Sequence, residues 1–197
     1  ESLNTKLSKK KHDSEAAIVV QIADTHFNEL VELESNKYDF DIASKRLQKY
    51  AYKVKEYVKF HKANKVLIAI TGDLINSDRR LDEKLAMATN RAKATFLGVN
   101  EIAEVQVCCV TGNESRVNQE LGWVNLVSSD NYDFTIFEML RLLLPDINFL
   151  RGDALELVVE INGKNMLVIH GHQLSKMDSN VVGKVISKYS AKGVIID

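Results

Sequence analysis

Short apolar runs alternate with amphipathic segments along most of the chain. The runs are seven or eight residues long, which is typical of strands covered on both faces, and they occupy residues 16–23, 65–71 and 105–111. After the first run, residues 41–62 repeat apolar and aromatic side chains at helical spacing, with Asp39 or Asp41 available as the N-cap. Residues 79–103 are rich in the helix formers Ala, Leu and Lys. This alternation predicts a layered α/β domain with a largely parallel sheet.

The second half of the chain predicts a β-hairpin between two helices. The dipeptide Asn162-Gly163 joins two apolar runs and favours a type I′ turn. The predicted elements are a helix over 134–144, hairpin arms over 154–161 and 164–170, a helix over 179–191 and the start of a strand over 194–197. Residues 1–15 are polar and lack periodicity, so we interpret them as a lead-in or linker and residues 16–197 as one domain.

Composition narrows the class of protein. The 197 residues include 26 basic and 27 acidic side chains, so the net charge of −1 argues against a polyanion binder held by bulk charge. The two cysteines, Cys108 and Cys109, are adjacent in an apolar run, which excludes a disulfide scaffold and favours a core role. Neither a secretory leader nor a spanning segment is recognisable, so we expect a cytoplasmic protein without membrane contact.

Polar residues with metal-binding groups follow four of the predicted strands. They are Asp24 with His26, Asp73, Asn113 and His170. Ligand sites in open α/β sheets lie at the carboxyl ends of strands, where the loops converge. Carboxylate, amide and imidazole together suit divalent manganese, iron, nickel or zinc, and the mixture indicates two metal ions.

Together these residues resemble the motifs of the calcineurin-like metallophosphoesterases. The motifs are Asp24-Thr25-His26, Gly72-Asp73, Gly112-Asn113-Glu114 and His170-Gly171-His172, in that order along the chain. The resemblance covers residues 17–197 and implies a four-layer α/β/β/α sandwich.

The resemblance also implies a role for each residue. Asp24 and His26 would bind one metal, Asp73 would bridge both, and Asn113 with His170 would bind the second. A metal-bridging hydroxide would attack phosphorus in line. We expect manganese first, with iron, nickel or zinc as alternatives. The remaining candidates are Glu114, Arg116 as a phosphate ligand, and His172 as either a phosphate contact or a loop hydrogen-bonding residue.

Two departures from the family pattern shape the functional prediction. Glu114 stands where many members have a histidine, and its carboxylate would repel a dianionic monoester more than a monoanionic diester. Arg116 would offset that charge. The predicted function is therefore a phosphodiesterase, with nucleic acid as the first substrate to test and a nuclease as one form. The family's final Gly-His-x-His motif is absent, so we expect the C-terminal part of the domain to lie beyond Asp197.

Simpler interpretations stand beside these predictions. A non-catalytic scaffold on the same fold is the main alternative, and a protein phosphatase ranks below it. The helix over 41–62 has seven basic and two acidic residues with interleaved tyrosines, which favours a solvated face over a nucleic-acid contact. His61 is predicted to be packed or at a boundary. Four residues are candidates for the cleft mouth, namely Trp123, Asn125, Tyr132 and Asp133. The oligomeric state is left open.

Overall fold

The structure is a computed structural model that describes residues 14–76, 89, 92–93, 96–117, 130–172, 174 and 178–197. Its strands are β1 (Ala17–Ile22), β2 (Val31–Glu32), β3 (Lys37–Tyr38), β4 (Lys65–Ile70), β5 (Glu104–Cys109), β6 (Asn148–Leu150), β7 (Glu156–Ile161) and β8 (Lys164–Ile169). Its helices are α1 (Phe40–His61), α2 (Tyr132–Leu143) and α3 (Ser179–Ser190), and residues 96–100 are also helical.

A four-stranded parallel sheet forms the centre of the described fold. Its strand order is β1-β4-β5-β6, and the register places Ile22 beside Ile70 and Ile70 beside Cys109. The carboxyl ends of β1, β4 and β5 are therefore level. The predicted α/β class with a parallel central sheet is confirmed, and β2–β3 and β7–β8 form separate two-stranded antiparallel sheets.

The central strand β4 shows why the predicted runs are continuously apolar. Val66, Ile68 and Ile70 pack in the cluster that includes α1 and α2, whereas Leu67 and Ala69 pack against the β7–β8 hairpin. Alternate side chains of a strand point to opposite faces, so a strand covered on both sides needs apolar residues at every position. Helices, parallel sheet and hairpin are thus three layers of the described fold.

Local signals fix the ends of α1 and the hairpin turn. The Asp39 side chain caps α1 by accepting a hydrogen bond from the Ile42 amide at 2.7 Å. At the hairpin, Asn162 and Gly163 both have positive φ values, 51° and 76°, as a type I′ turn requires.

Several predictions differ from the structure in detail. Residues 194–197 form no strand, although the Asp197 amide donates to the Asn165 carbonyl of β8 at 2.9 Å. His61 is exposed, because it lies at the end of α1, and its ring stacks on Tyr57.

Other predictions fall partly or wholly outside the described residues. In the helix predicted over 79–103, residues 96–100 are helical, whereas residues 77–88 lie outside the described ranges. Trp123 and Asn125, which were predicted to line the cleft mouth, also lie outside them. The ion pair between Lys188 and Glu156 joins α3 to β7. The four-layer sandwich stays a prediction. Within the described ranges, no helix combines the length and apolar character needed to cross a membrane.

Candidate metal centre

The turns after β1 and β4 lie side by side at the carboxyl edge of the sheet. Backbone pairing continues past the strands: the Asp24 amide donates to the Gly72 carbonyl at 3.0 Å, and the His26 amide donates to the Asp73 carbonyl at 3.1 Å. Residues that are 49 positions apart in sequence, Asp24 and Asp73, are thereby brought into one site.

Asp24, His26 and Asp73 form a group with metal-binding potential. One ligand atom from each lies within 4.8 Å of the other two. All three residues adopt left-handed backbone, with φ values of 50°, 41° and 54°. Such conformations are unfavourable for residues with a Cβ and concentrate at functional sites, so the surrounding structure must hold these ligands in place.

His26 and His170 have the same hydrogen-bonding pattern. The Nδ1 atom of His170 is 2.6 Å from the Thr71 carbonyl, and that of His26 contacts the Asn76 side-chain oxygen. An oxygen acceptor at Nδ1 places the proton there and leaves Nε2 for a second partner. In His170 that atom lies 3.3 Å from Asp73 Oδ2, and in His26 it lies 4.0 Å from Asp24 Oδ1. A cation between each ring and carboxylate would stabilise this arrangement.

Two glycines allow the turns to approach each other. A Cβ on Gly112 would lie 1.9 Å from Asp73 Oδ1, and a Cβ on Gly72 would lie 2.3 Å from the Gly112 amide nitrogen. Gly72 also has a φ of 97°, which side-chain-bearing residues rarely adopt. Gly72, before Asp73, and Gly112, before Asn113, are therefore required by space, and Gly72 also by backbone conformation.

The Asp133 side chain connects these two turns through hydrogen bonds. Its carboxylate accepts hydrogen bonds from the backbone amides of Asp73, Leu74 and Gly112, each at 2.9 Å, and from the Ser115 hydroxyl at 2.8 Å. The side chain is completely buried. Burial raises the pKa of Asp133, and the four donated hydrogen bonds oppose that shift.

This position corrects the prediction that Asp133 lines the cleft mouth. Asp133 lies at the first turn of α2, after the N-cap Asn131, whose side chain accepts from the Asp133 amide. The Asn-x-Asp sequence at the start of this helix indicates only that Asn131 caps the helix. The proximity of residues 73 and 112 to Asp133 is a tertiary feature that this pattern does not contain.

The remaining predicted residues lie around the same turns. The Asn113 side-chain amide donates to Glu114 Oε1 at 2.6 Å, and the Glu114 backbone amide donates to Asp73 Oδ1 at 2.8 Å. The His170 and His172 ring centroids are 5.1 Å apart. Arg116 is half-buried and close enough for its charge to affect His172.

His172 has an unsatisfied polar atom inside the centre. Its Nδ1 is buried and has no hydrogen-bond partner among the described residues. Burial is the main cause that lowers the pKa of His172, and the charges of His170 and Arg116 act in the same direction while Asp73 opposes them. A neutral ring with a buried, unpaired nitrogen has capacity for a ligand.

Several solved structures match this chain, and one of them is a dimetal phosphatase. The structure is similar to a crystal structure of a dimetal phosphatase from Danio rerio, with a TM-score of 0.44 and 12% sequence identity. The similarity covers 87% of this chain and 51% of that one, so this chain spans about half the length of the phosphatase. No family model and no curated protein matches the chain.

Proposed function

We propose that this chain is a metal-dependent phosphoesterase that holds two divalent ions and prefers phosphodiesters to monoesters. The observation that carries the proposal is the shared position of Asp73. It belongs to the group with Asp24 and His26, and its Oδ2 also faces His170 Nε2 at 3.3 Å. A carboxylate between two sets of ligands is suited to bridge two metal ions.

The donors present fit divalent ions. They combine carboxylates and imidazoles, the latter oriented by acceptors at Nδ1, and this combination suits manganese, iron, nickel or zinc. When bound, two such ions would lower the pKa of water and neutralise charge on phosphoryl oxygens. We assign Asp24 and His26 to the first ion, Asn113 and His170 to the second, and Asp73 to both.

The amide of Asn113 is compatible with this assignment. Because its nitrogen donates to Glu114, its oxygen is left as the atom that could bind a cation. The same hydrogen bond fixes Glu114 beside the centre.

Arg116 and His172 are the groups available for the phosphate. The guanidinium of Arg116 can donate two parallel hydrogen bonds to phosphoryl oxygens. The unpaired Nδ1 of His172 would donate to a phosphoryl or leaving-group oxygen when it carries the ring proton, or accept a proton when it does not.

Glu114 supports the preference for diesters. Its side chain is exposed and lines the cavity that also contains Asp24, so its charge faces an approaching phosphate. A monoester dianion carries one more negative charge than a diester and is repelled more strongly.

Hydrolysis by protein expressed from its complete reading frame tests the proposal. We expect manganese to stimulate cleavage of bis(p-nitrophenyl) phosphate, and Asp73→Asn to lose both this activity and bound metal. Asp146→Asn, at an exposed site, is the matched control. Full metal content in Asp73→Asn would refute the bridging assignment, and an inactive wild type with metal bound would favour the non-catalytic scaffold.

The diester preference has a separate test in Glu114→Gln, which removes the charge and keeps the shape. We expect the ratio of monoester to diester hydrolysis to rise at least about fivefold, which corresponds to about 1 kcal/mol for one charge contact at 4 Å in water, and Glu114→His to change it in the same direction. Glu160→Gln, an exposed position on β7, is the control. An unchanged ratio in Glu114→Gln would reject the role of Glu114.

A further inference from the structure

One face of α1 alternates cationic and aromatic side chains. The residues are spaced four, three, four and four positions apart, so they lie along a single stripe of the helix. We name this stripe the α1 track, and its members are Arg46, Tyr50, Lys53, Tyr57 and His61. The buried face of α1 is formed by other residues, including Leu47, Val54 and Val58.

The α1 track lines two neighbouring cavities. A cavity of about 640 Å³ contains Arg46 and Tyr50 together with Asp24 and His26 of the metal centre. A second cavity of about 440 Å³ contains Tyr50, Lys53, Tyr57 and His61 and has β1 as its other wall. Tyr50 lines both, and its hydroxyl donates to the Gln21 carbonyl of β1 at 3.0 Å. The two cavities are therefore neighbours that share Tyr50 as a lining residue, and we name them together the trough.

The surface of the trough combines positive charge with exposed rings. Arg46 and Lys53 line the trough, and they belong to a helix whose residues 41–62 contain seven basic and two acidic residues. Tyr57 is 59% exposed, and its ring stacks on the His61 ring. The carboxylates of Glu29 and Glu114 line the cavity at the metal end and not the second cavity. In the second cavity, the charge of Lys53 is shared with Glu56 in an ion pair.

From this arrangement we infer that the α1 track binds single-stranded nucleic acid and directs it to the metal centre. Cations along a groove attract the phosphate backbone, while exposed aromatic rings stack with unpaired bases without regard to sequence. Arg46 and Tyr50 lie at the metal end of the trough, so they would contact the nucleotide next to the bond to be cleaved. The inference deepens the proposed function and rests on it for the cleavage step, whereas the binding step is independent of metal.

The length of the stripe sets the expected site size. Arg46 and His61 are 15 residues apart, which corresponds to about 22 Å along a helix. At about 3.4 Å per stacked nucleotide, that distance corresponds to roughly six nucleotides. Affinity for oligonucleotides should therefore rise with length and level off near this value.

Fluorescence anisotropy with labelled oligo-dT and oligo-U of twelve nucleotides, in EDTA, measures binding without hydrolysis. We expect Tyr57→Ala to weaken binding by about 5- to 150-fold, the range for loss of one stacked base. Tyr52→Ala is the matched control, because Tyr52 is 60% exposed and lies on α1 outside the track. We expect Arg46→Gln to reduce the salt-dependence slope by about 0.7, the value for one phosphate contact on a single strand, and the neighbouring Lys45→Gln to leave it unchanged.

The outcomes separate this inference from the proposed function. Asp146→Asn should bind oligonucleotide like the wild type, since Asp146 is exposed and lies outside both the track and the metal centre. The inference is overturned if the wild type does not bind, if Tyr52→Ala weakens binding as much as Tyr57→Ala, or if duplex binds equally well with no dependence on Tyr57. Binding that depends on the track in a protein that hydrolyses no diester would support the inference and refute the proposed function.

Discussion

Replacing Asp133 by asparagine tests whether one buried carboxylate holds the metal-centre turns together. In the wild type, one oxygen of Asp133 accepts from the amides of Asp73 and Gly112, and the other accepts from the Leu74 amide and the Ser115 hydroxyl. Asparagine keeps one acceptor oxygen and puts an NH₂ group at the other position. Two of the four donors then face a donor.

The expected loss of stability follows from the number of buried donors that lose their hydrogen-bond partner. Each buried donor left without a partner costs about 1–3 kcal/mol, which for two gives about 2–6 kcal/mol. Burial raises the pKa of Asp133, so the neutral asparagine also removes an unfavourable buried charge. We therefore expect a loss near the lower limit, about 2 kcal/mol, in the free energy of unfolding.

Denaturant unfolding of Asp133→Asn, monitored by circular dichroism without metal, measures this loss. Asp146→Asn is the control at an exposed site and should change stability by less than about 0.5 kcal/mol. Calorimetric titration should also show manganese affinity about 10- to 100-fold weaker, as for other groups that position metal ligands indirectly. If Asp133→Asn unfolds like Asp146→Asn and binds manganese like the wild type, the reasoning is wrong.

Two further predictions concern packing around the site and in the core. Gly112→Ala should weaken manganese binding at least about tenfold, because the new Cβ would lie 1.9 Å from Asp73 Oδ1. The control is Gly183→Ala in α3, whose Cβ would meet no atom within 4 Å and which should add about 0.5–1 kcal/mol to the free energy of unfolding. Equal manganese affinity in the two variants would contradict this prediction. Burial raises the pKa of Cys108 to about 12 and also raises that of Cys109, so alkylation of the folded protein should be much slower than after unfolding. Equally rapid labelling in native conditions would refute the core assignment.

Elements with a strong local signal were predictable from the sequence. β4 is apolar at nearly every position because both its faces are covered, and α1 shows clear periodicity and a capping aspartate. β6, with three residues, and β2 and β3, with two each, are too short to produce a pattern. Their formation depends on neighbouring strands, which sequence periodicity does not describe.

The sequence pattern brought the candidate ligand residues to attention, but it did not indicate the residues that support them. Asp24, His26 and Asp73 were identified because each follows an apolar run, and the parallel register brings such ends together. Asp133 and Asn76 support them through hydrogen bonds between residues about 20 to 60 positions apart, as from the Gly112 amide to Asp133 and from His26 Nδ1 to the Asn76 side-chain oxygen. These contacts exist only once the sheet has formed, so no local pattern reveals them.

The strained backbone and the buried carboxylate are two parts of one arrangement. Left-handed backbone costs roughly 1–2 kcal/mol per residue for side chains with a Cβ, and Asp24, His26 and Asp73 all adopt it. The amides of these three residues donate to Gly72, to Asp73 and to Asp133, so each strained residue is held by a hydrogen bond from its own backbone. Their side chains are thereby directed to one point before any ligand binds. Among the described residues five non-glycine residues have positive φ, and three of them lie in this one centre, which is the clustering expected of a functional site.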